Sequence, residues 1–279
     1  MKYLALKKTA VAAASASWLL GALAGIGCAA GATTYNFTDL GTLGGGSSFA
    51  YGINSSGEVV GEAETASGAT HAFTYTTTGG MVDLGTLGGN YSQAYGINSS
   101  EEVVGQAATA SGALHAFTYT TTGGMVDIGT LGGNHSYAYG INSSGEVVGE
   151  ADTASTFHAF TYTTTGGMVD LGTLGANYSV ANGINDAGVV VGYSGNYAFV
   201  YSNGTLTNLN TVTANLPVGF SLTSANAINL SGDIVVYGTN AAGQVQAFLL
   251  TPIATPEPTS LALLAVGGLA LLIRRRRSA

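Results

Sequence analysis

The chain has 279 residues, of which 46% are apolar and 8% charged, with 43 glycines and a formal net charge of −8. All seven basic residues lie at the ends, as Lys2, Lys7 and Lys8 and then Arg274, Arg275, Arg276 and Arg277. Between Thr33 and Ala254 there are 14 acidic residues and no Lys or Arg, which disfavours nucleic-acid and phosphate binding and excludes an activated lysine there.

Lys2, Lys7 and Lys8 form a positive n-region ahead of an uncharged stretch, Thr9 to Ala30, with Trp18-Leu19-Leu20 at its centre. Ala30-Gly31-Ala32 then places small residues at −3 and −1. This is the layout of a secretory signal peptide over residues 1–32, cut after Ala32 by signal peptidase and kept out of fold reasoning. An uncleaved N-terminal membrane helix is one alternative. A lipoprotein acylated at Cys28 is another, although Gly25-Ile26-Gly27 lacks the usual Leu at −3. The only cysteine leaves with the signal, so the mature chain has no disulfide frame, thiolate metal site or thiol nucleophile.

Residues 33–254 are a repeat. Asp39-Leu40-Gly41-Thr42-Leu43-Gly44 recurs at Asp83, Asp127 (with Ile128) and Asp170, and in worn form at Asn208. The first two units differ at only seven of 44 positions. A period in the forties marks a propeller or a solenoid. Unit one predicts four strands, Ala50 to Asn54, Glu58 to Glu62, His71 to Thr76 and Gly80 to Gly85, bounded by turn signals. Asn54-Ser55-Ser56-Gly57 reads as a type I turn hairpin with a bulge, and Thr77-Thr78-Gly79-Gly80 as a second hairpin. On the third strand His71, Phe73 and Tyr75 share one face, and Ala72, Thr74 and Thr76 the other. Stacked sheets of that kind nest large residues against small ones. The last unit offers strands near Ala225 to Asn229, Asp233 to Gly238 and Val245 to Leu250, with no fourth. Tyr35 to Gly41 aligns with a fourth strand. The predicted fold is therefore all-β, a five-bladed β-propeller whose N-terminal strand closes the last blade. A β-solenoid is the alternative.

The repeats resemble the HAF-repeat family of extracellular proteins. The resemblance is carried by His71-Ala72-Phe73, His115-Ala116-Phe117 and His158-Ala159-Phe160, by Gly52-Ile53-Asn54 with Val59-Val60-Gly61, by Leu40-Gly41-Thr42-Leu43-Gly44, and by Ala247-Phe248-Leu249-Leu250-Thr251-Pro252. It spans Phe37 to Pro252. Tyr197 and Gln246 replace the His in units four and five. The resemblance supplies no biochemical activity.

The tail, 255–279, begins with Pro256-Glu257-Pro258, continues through an apolar run from Thr259 to Ile273, and ends in Arg274 to Arg277. A helix of that length spans ~22 Å against a ~30 Å bilayer core. Snorkelling arginines and local thinning bridge the difference, and the arginines stay on the cytoplasmic side. The tail resembles the PEP-CTERM sorting signal, with Thr255 where Val is common. The resemblance implies handling by an exosortase in an exopolysaccharide-making Gram-negative bacterium. The expected route is export through the secretion machinery, transient inner-membrane anchoring, then the cell surface, biofilm matrix or medium. A permanent membrane anchor is the alternative.

The candidate chemistry is sparse. His71, His115 and His158 occupy equivalent places on different units, so a structural bond to a neighbouring blade or loop is expected in preference to a metal site. Asp39, Asp83, Asp127 and Asp170 read as strand-end acceptors of backbone N–H groups in preference to Ca²⁺ ligands. No catalytic residue, metal or other cofactor is assigned. A glycosidase needs two carboxylates of divergent pKa, and only Asp186 and Asp233 are peculiar to the later units, both at hairpin turns. The candidate ligand-binding residues lie in the loop that crosses between units: Asn90 and Tyr91, Asn134 and His135, Asn177 and Tyr178. A ring beside an amide suits a sugar face and its hydroxyls, and near-identical units suit a polymer. The alternative is that the rings plug the groove between blades. The expected function is a monomeric, non-enzymatic, multivalent exopolysaccharide-binding surface protein; the alternatives are a purely structural surface protein and, behind it, a glycoside hydrolase.

Overall fold

The computed structural model describes residues 35–253. Ala32 and the sorting-signal residues Pro256, Glu257, Pro258 and Arg274 to Arg277 lie outside the described residues. Unit one contains β1 (Gly44–Ile53), β2 (Val59–Thr65), β3 (Thr70–Thr76) and β4 (Gly80–Asp83). Unit two contains β5 (Gly88–Ile97), β6 (Val103–Thr109), β7 (Leu114–Thr120) and β8 (Gly124–Asp127). Unit three has β9 (Ser136–Ile141), β10 (Val147–Asp152), β11 (Phe157–Thr163) and β12 (Gly167–Asp170). Unit four has β13 (Ser179–Ile184), β14 (Val190–Ser194), β15 (Tyr197–Ser202) and β16 (Thr205–Asn208), followed by the one-turn α1 (Leu209–Val212). Unit five has β17 (Ser221–Ile228), β18 (Ile234–Thr239) and β19 (Val245–Leu250).

Within each unit consecutive strands pair antiparallel. A single parallel bridge, Thr70 to Tyr91, joins units one and two into one eight-stranded sheet. The turn chemistry follows the sequence. The Gly57 N–H donates to the Asn54 carbonyl at 3.1 Å, and Asn54 Oδ1 accepts from the N–H groups of Ser56 and Glu58. Gly57 itself adopts φ +84°, where a Cβ is strained. Between β1 and β2 the register slips at Ala50/Gly52. That bulge drives the Phe49 carbonyl into the space a Cβ on Gly61 would fill, so glycine is needed at 61.

The core lies between units and not within a sheet. Phe117 of β7 is fully buried with Val60, Ala72 and Leu84 of unit one. Phe160 sits likewise with Val104, Ala116 and Ile128 of unit two, and Phe199 with Val148, Ala159 and Leu171 of unit three. Each large ring nests on the preceding unit's alanine, as the alternation on the third strand predicts. Buried serines tie the units together. Ser92, Ser136 and Ser179 accept from the N–H of Ala72, Ala116 and Ala159 in the preceding unit at 2.8, 2.8 and 2.9 Å. At the opposite end of the units the hairpin asparagines form a relay. Nδ2 of Asn54, Asn98, Asn142 and Asn185 each donates to the carbonyl of the next unit's asparagine at 3.1–3.3 Å, ending on Asn229. All five hairpins line one opening of 450 Å³. The fold is thus all-β and propeller-like in its stacking.

One expectation is not met. Residues 35–42 form no strand, and the sheet of unit five stops at three strands, β17, β18 and β19. No closed sheet is present among the described residues. The Asn229 amide, which a closing relay would point at another unit, donates instead to its own Asp233 at 2.9 Å.

Candidate binding surface between the units

The crossing loop carries the chain from the fourth strand of one unit to the first strand of the next. It opens on the repeated Asp, whose carboxylate accepts the N–H two residues on: Asp83 from Gly85, Asp127 from Gly129 and Asp170 from Gly172, each at 2.7 Å. These aspartates are strand-end acceptors, as read from the sequence. The motif histidines bond the loop and not the neighbouring blade, the second of the two partners expected. They bond no neighbouring unit; His71 Nδ1 lies 2.9 Å from Asp83, His115 2.7 Å from Asp127 and His158 2.9 Å from Asp170, all within one unit. Antiparallel pairing of the third and fourth strands, with Phe73 opposite Asp83, brings each His and Asp together. Unit four changes both partners at once, to Tyr197 and Asn208. Among the described residues no three His, Cys, Asp or Glu side chains gather as a metal site.

Farther along the loop the structure separates the two members of each Asn–ring pair. Asn90, Asn134 and Asn177 are exposed. Tyr91, His135 and Tyr178 are half-buried, each wedged against polar or aromatic neighbours. Tyr91 Oη lies 3.0 Å from Gln93 Oε1 and 3.3 Å from Glu62 Oε2 in unit one, sharing its proton between them. Burial, reinforced by the Glu62 charge, pushes its pKa up to about 12, so the hydroxyl keeps its proton at any physiological pH. His135 Nδ1 accepts the N–H of Leu114 in unit two at 3.0 Å, which assigns the proton to Nε2 of the neutral ring. Tyr178 stacks at a tilt on Phe157 of unit three, 5.2 Å between centroids, and edge-on to Tyr193. The three rings therefore fill grooves between units. Asn90 and Asn177 stand at groove mouths. Asn90 borders a groove of 750 Å³ with Thr109 and Ser111; Asn177 borders one of 580 Å³ with Ser155, Thr156 and His158.

Asp186 and Asp233, the two carboxylates singled out by sequence, each serve a hairpin. Asp186 accepts the Ser143 N–H of the preceding unit at 3.0 Å, which holds its pKa below the ordinary value. Asp233 accepts from Asn229.

A further group was not foreseen. Tyr51, Tyr95 and Tyr139, one per unit, form a ladder with centroids 6.0 and 5.8 Å apart. Tyr51 and Tyr139 donate to Glu62 and Glu150 of their own units at 2.8 and 2.7 Å. In unit two Tyr95 donates to Gln93, and Gln106 Nε2 reaches both. Desolvation raises the pKa of Glu150 and of Tyr139. The signal was present as a strict 44-residue spacing of Tyr in Ala-Tyr-Gly-Ile, but without the bulge register nothing marked the pairing with Glu.

Comparison with known proteins assigns the tail first. A PEP-CTERM protein-sorting motif matches residues 254–277. The chain is thereby an exported protein with a C-terminal membrane-associated tail that passes through secretion and exosortase-type processing; among the described residues no helix is long and apolar enough to cross a membrane. No curated protein matches the chain. Similar solved structures include a gluconolactonase from Xanthomonas campestris, 9% identical with a TM-score of 0.43, covering 72% of this chain and 70% of that one. TolB from Acinetobacter baumannii is 12% identical with a TM-score of 0.43, covering 73% and 54%. A triple arginine-to-alanine mutant of AofleA from Arthrobotrys oligospora is 14% identical with a TM-score of 0.34, covering 73% and 67%.

Proposed function

We propose that this is a non-enzymatic surface protein whose HAF-type repeats stand as five propeller blades and bind a neutral exopolysaccharide multivalently. One observation carries the reading: an exposed asparagine beside an anchored ring recurs at three successive junctions, at Asn90, Asn134 and Asn177. Each amide presents a donor and an acceptor to sugar hydroxyls, and the ring, fixed by the neighbouring unit, costs little entropy to present. Single sites are weak, and their linkage along one polymer supplies avidity. The absence of Lys and Arg from 33–254 favours an uncharged polymer over an acidic one. Packing of all three rings supports a second reading, a purely structural repeat whose loops bind nothing.

The rings are the wrong probe because they hold the units together. The test is N90A/N134A/N177A in the exported protein, measured by affinity electrophoresis in gels containing the host's exopolysaccharide. The triple variant should melt like the parent and lose its retardation, whereas each single variant loses only part of it. A folded triple variant that is retarded like the parent, or a parent that is never retarded, overturns the binding reading in favour of the structural one.

A further inference from the structure

Each junction between units has two halves. The forward half lies on the second and third strands of a unit, as Val60 and Ala72 do in unit one. The rear half lies on the first and second strands of the next, as Ala94 and Val103 do in unit two. All four are fully buried against each other's units. Units four and five repeat the arrangement with Val191 and Ala198 against Ala225 and Ile234. Five units contain five halves of each kind, and four junctions consume four of each.

The unused halves are exposed. On unit five Val235 and Ala247 occupy the places of Val60 and Ala72, yet Val235 is 47% exposed, Ala247 is open, and the neighbouring Leu249 is 63% exposed. On unit one Ala50 occupies the place of Ala94 and is open, with Phe49 56% and Ile53 68% exposed beside it. The deep part of that rear face, Ala63 and Phe73, is already covered. A terminal repeat that faces solvent needs a polar outer surface. These ends keep junction-like apolar residues: Leu249 stands where unit one has Thr74 and unit four Val200, and Phe49 where unit two has Gln93 and unit four Val180. Contiguous apolar patches of this kind mark an interface.

We infer that the occupant is a second copy of this chain, its unit one seated on unit five of the first. The internal junction supplies the template, since the chain carries both halves of an interface that it already forms four times. The contact is heterologous, so it propagates into a ring or a filament. The monomer expected from the sequence is the alternative outcome. For a protein without basic residues in its repeats, salt strengthens such assembly by screening the mutual repulsion of acidic copies.

The chain has no cysteine after Cys28, which makes the test direct. The exported I53C/L249C variant is oxidised and run on a non-reducing gel, alongside I53C and L249C alone and an equimolar mixture of the two. Head-to-tail assembly gives a ladder of dimers, trimers and larger species from the double variant. It gives cross-linked dimers from the mixture and far fewer from either single variant. A double variant that cross-links only within one chain, running as a compact monomer, shows that the chain closes on itself and overturns the inference. So does the absence of any cross-link while the parent protein sediments as a monomer across concentration and salt. A247E/L249E, which leaves the rear half intact, gives an independent check. It should abolish assembly alone and still cap A50E/I53E as a two-chain species.

Discussion

Ser136→Ala isolates one of the bonds that hold unit three to unit two. Ser136 is fully buried. Its Oγ accepts the Ala116 N–H at 2.8 Å and donates to the Gly129 carbonyl, so one hydroxyl satisfies a donor of the preceding unit and an acceptor of the crossing loop. Alanine is nearly isosteric but leaves both groups buried and unpaired. An orphaned buried polar group costs ~1–3 kcal/mol. Two partial penalties, offset by the slightly more apolar methyl, give about 2–3 kcal/mol. For a domain of this size that is a fall in melting temperature of about 5–10 °C. Ser48 is the control. It is the same residue of the repeat, but no unit precedes it, and its Oγ bonds only the Gly41 carbonyl at 2.7 Å in a more open setting. Ser48→Ala should cost under ~1 kcal/mol. The assay is thermal and urea unfolding of the exported protein, followed by circular dichroism. Equal effects from the two substitutions, or a Ser136→Ala effect below ~0.5 kcal/mol, would refute the claim that these serines carry the junctions.

Glu101 holds φ +64° at the place where Gly57, Gly145 and Gly188 stand in other units; Glu101→Gly should stabilise the fold by about 1 kcal/mol, the left-handed strain exceeding the entropic cost of glycine, and a loss of stability in urea melts would contradict this. Desolvation raises the pKa of Glu58, Glu146 and Glu150 above the ordinary 4.5. The folded state therefore binds more protons than the unfolded one, and stability is greatest below that value and declines as pH rises through the elevated folded values. Glu150→Gln should flatten the decline, and a stability that rises over the same interval would sink the argument. Added NaCl should raise the melting temperature, because screening relieves the repulsion of 14 unopposed acidic residues; a flat or falling response counts against it.

Much of the local structure was legible because it is encoded within a few residues. The Asn54 hairpin follows from an asparagine that serves its own turn and a glycine where φ must be positive. The strand β19 has the bounds Val245–Leu250 that the sequence gives for that run. The closing strand was misread because alignment shows equivalence of sequence, not a partner. Tyr35 to Gly41 has the pattern of a fourth strand, yet residues 35–42 form no strand while the sheet of unit five ends at β19. The partner of the histidines was left open between blade and loop for a related reason. The spacing of His71 and Asp83 fixes their separation along the chain, and only the β3–β4 register makes them meet.

The differences between units one and two hold more than the sequence alone reveals. Of their seven, four are Ser47/Tyr91, Phe49/Gln93, Glu62/Gln106 and Gly57/Glu101. The first three look scattered, yet Tyr91, Gln93 and Gln106 form one hydrogen-bonded group against unit one. Read physically, they are a single change. A ring at 91 fills the groove, Gln93 accepts its hydrogen bond, and Gln106 supplies an amide to the same oxygen. A carboxylate at 106 would instead add a third negative charge to a ladder that already holds Glu62 and Glu150. Units four and five solve the same contact another way. Asn182 and Asn226 stand in the place of the tyrosine, and Tyr193 and Tyr237 in the place of the acid, so the aromatic ring moves to the neighbouring strand. The Asn182 amide then donates to the Ala225 carbonyl of unit five at 2.9 Å. Divergence among these repeats has therefore proceeded by compensated sets of contacts across the unit junctions. The faces left over at units one and five keep the apolar character of those junctions, with Phe49 and Leu249 where unit four has Val180 and Val200.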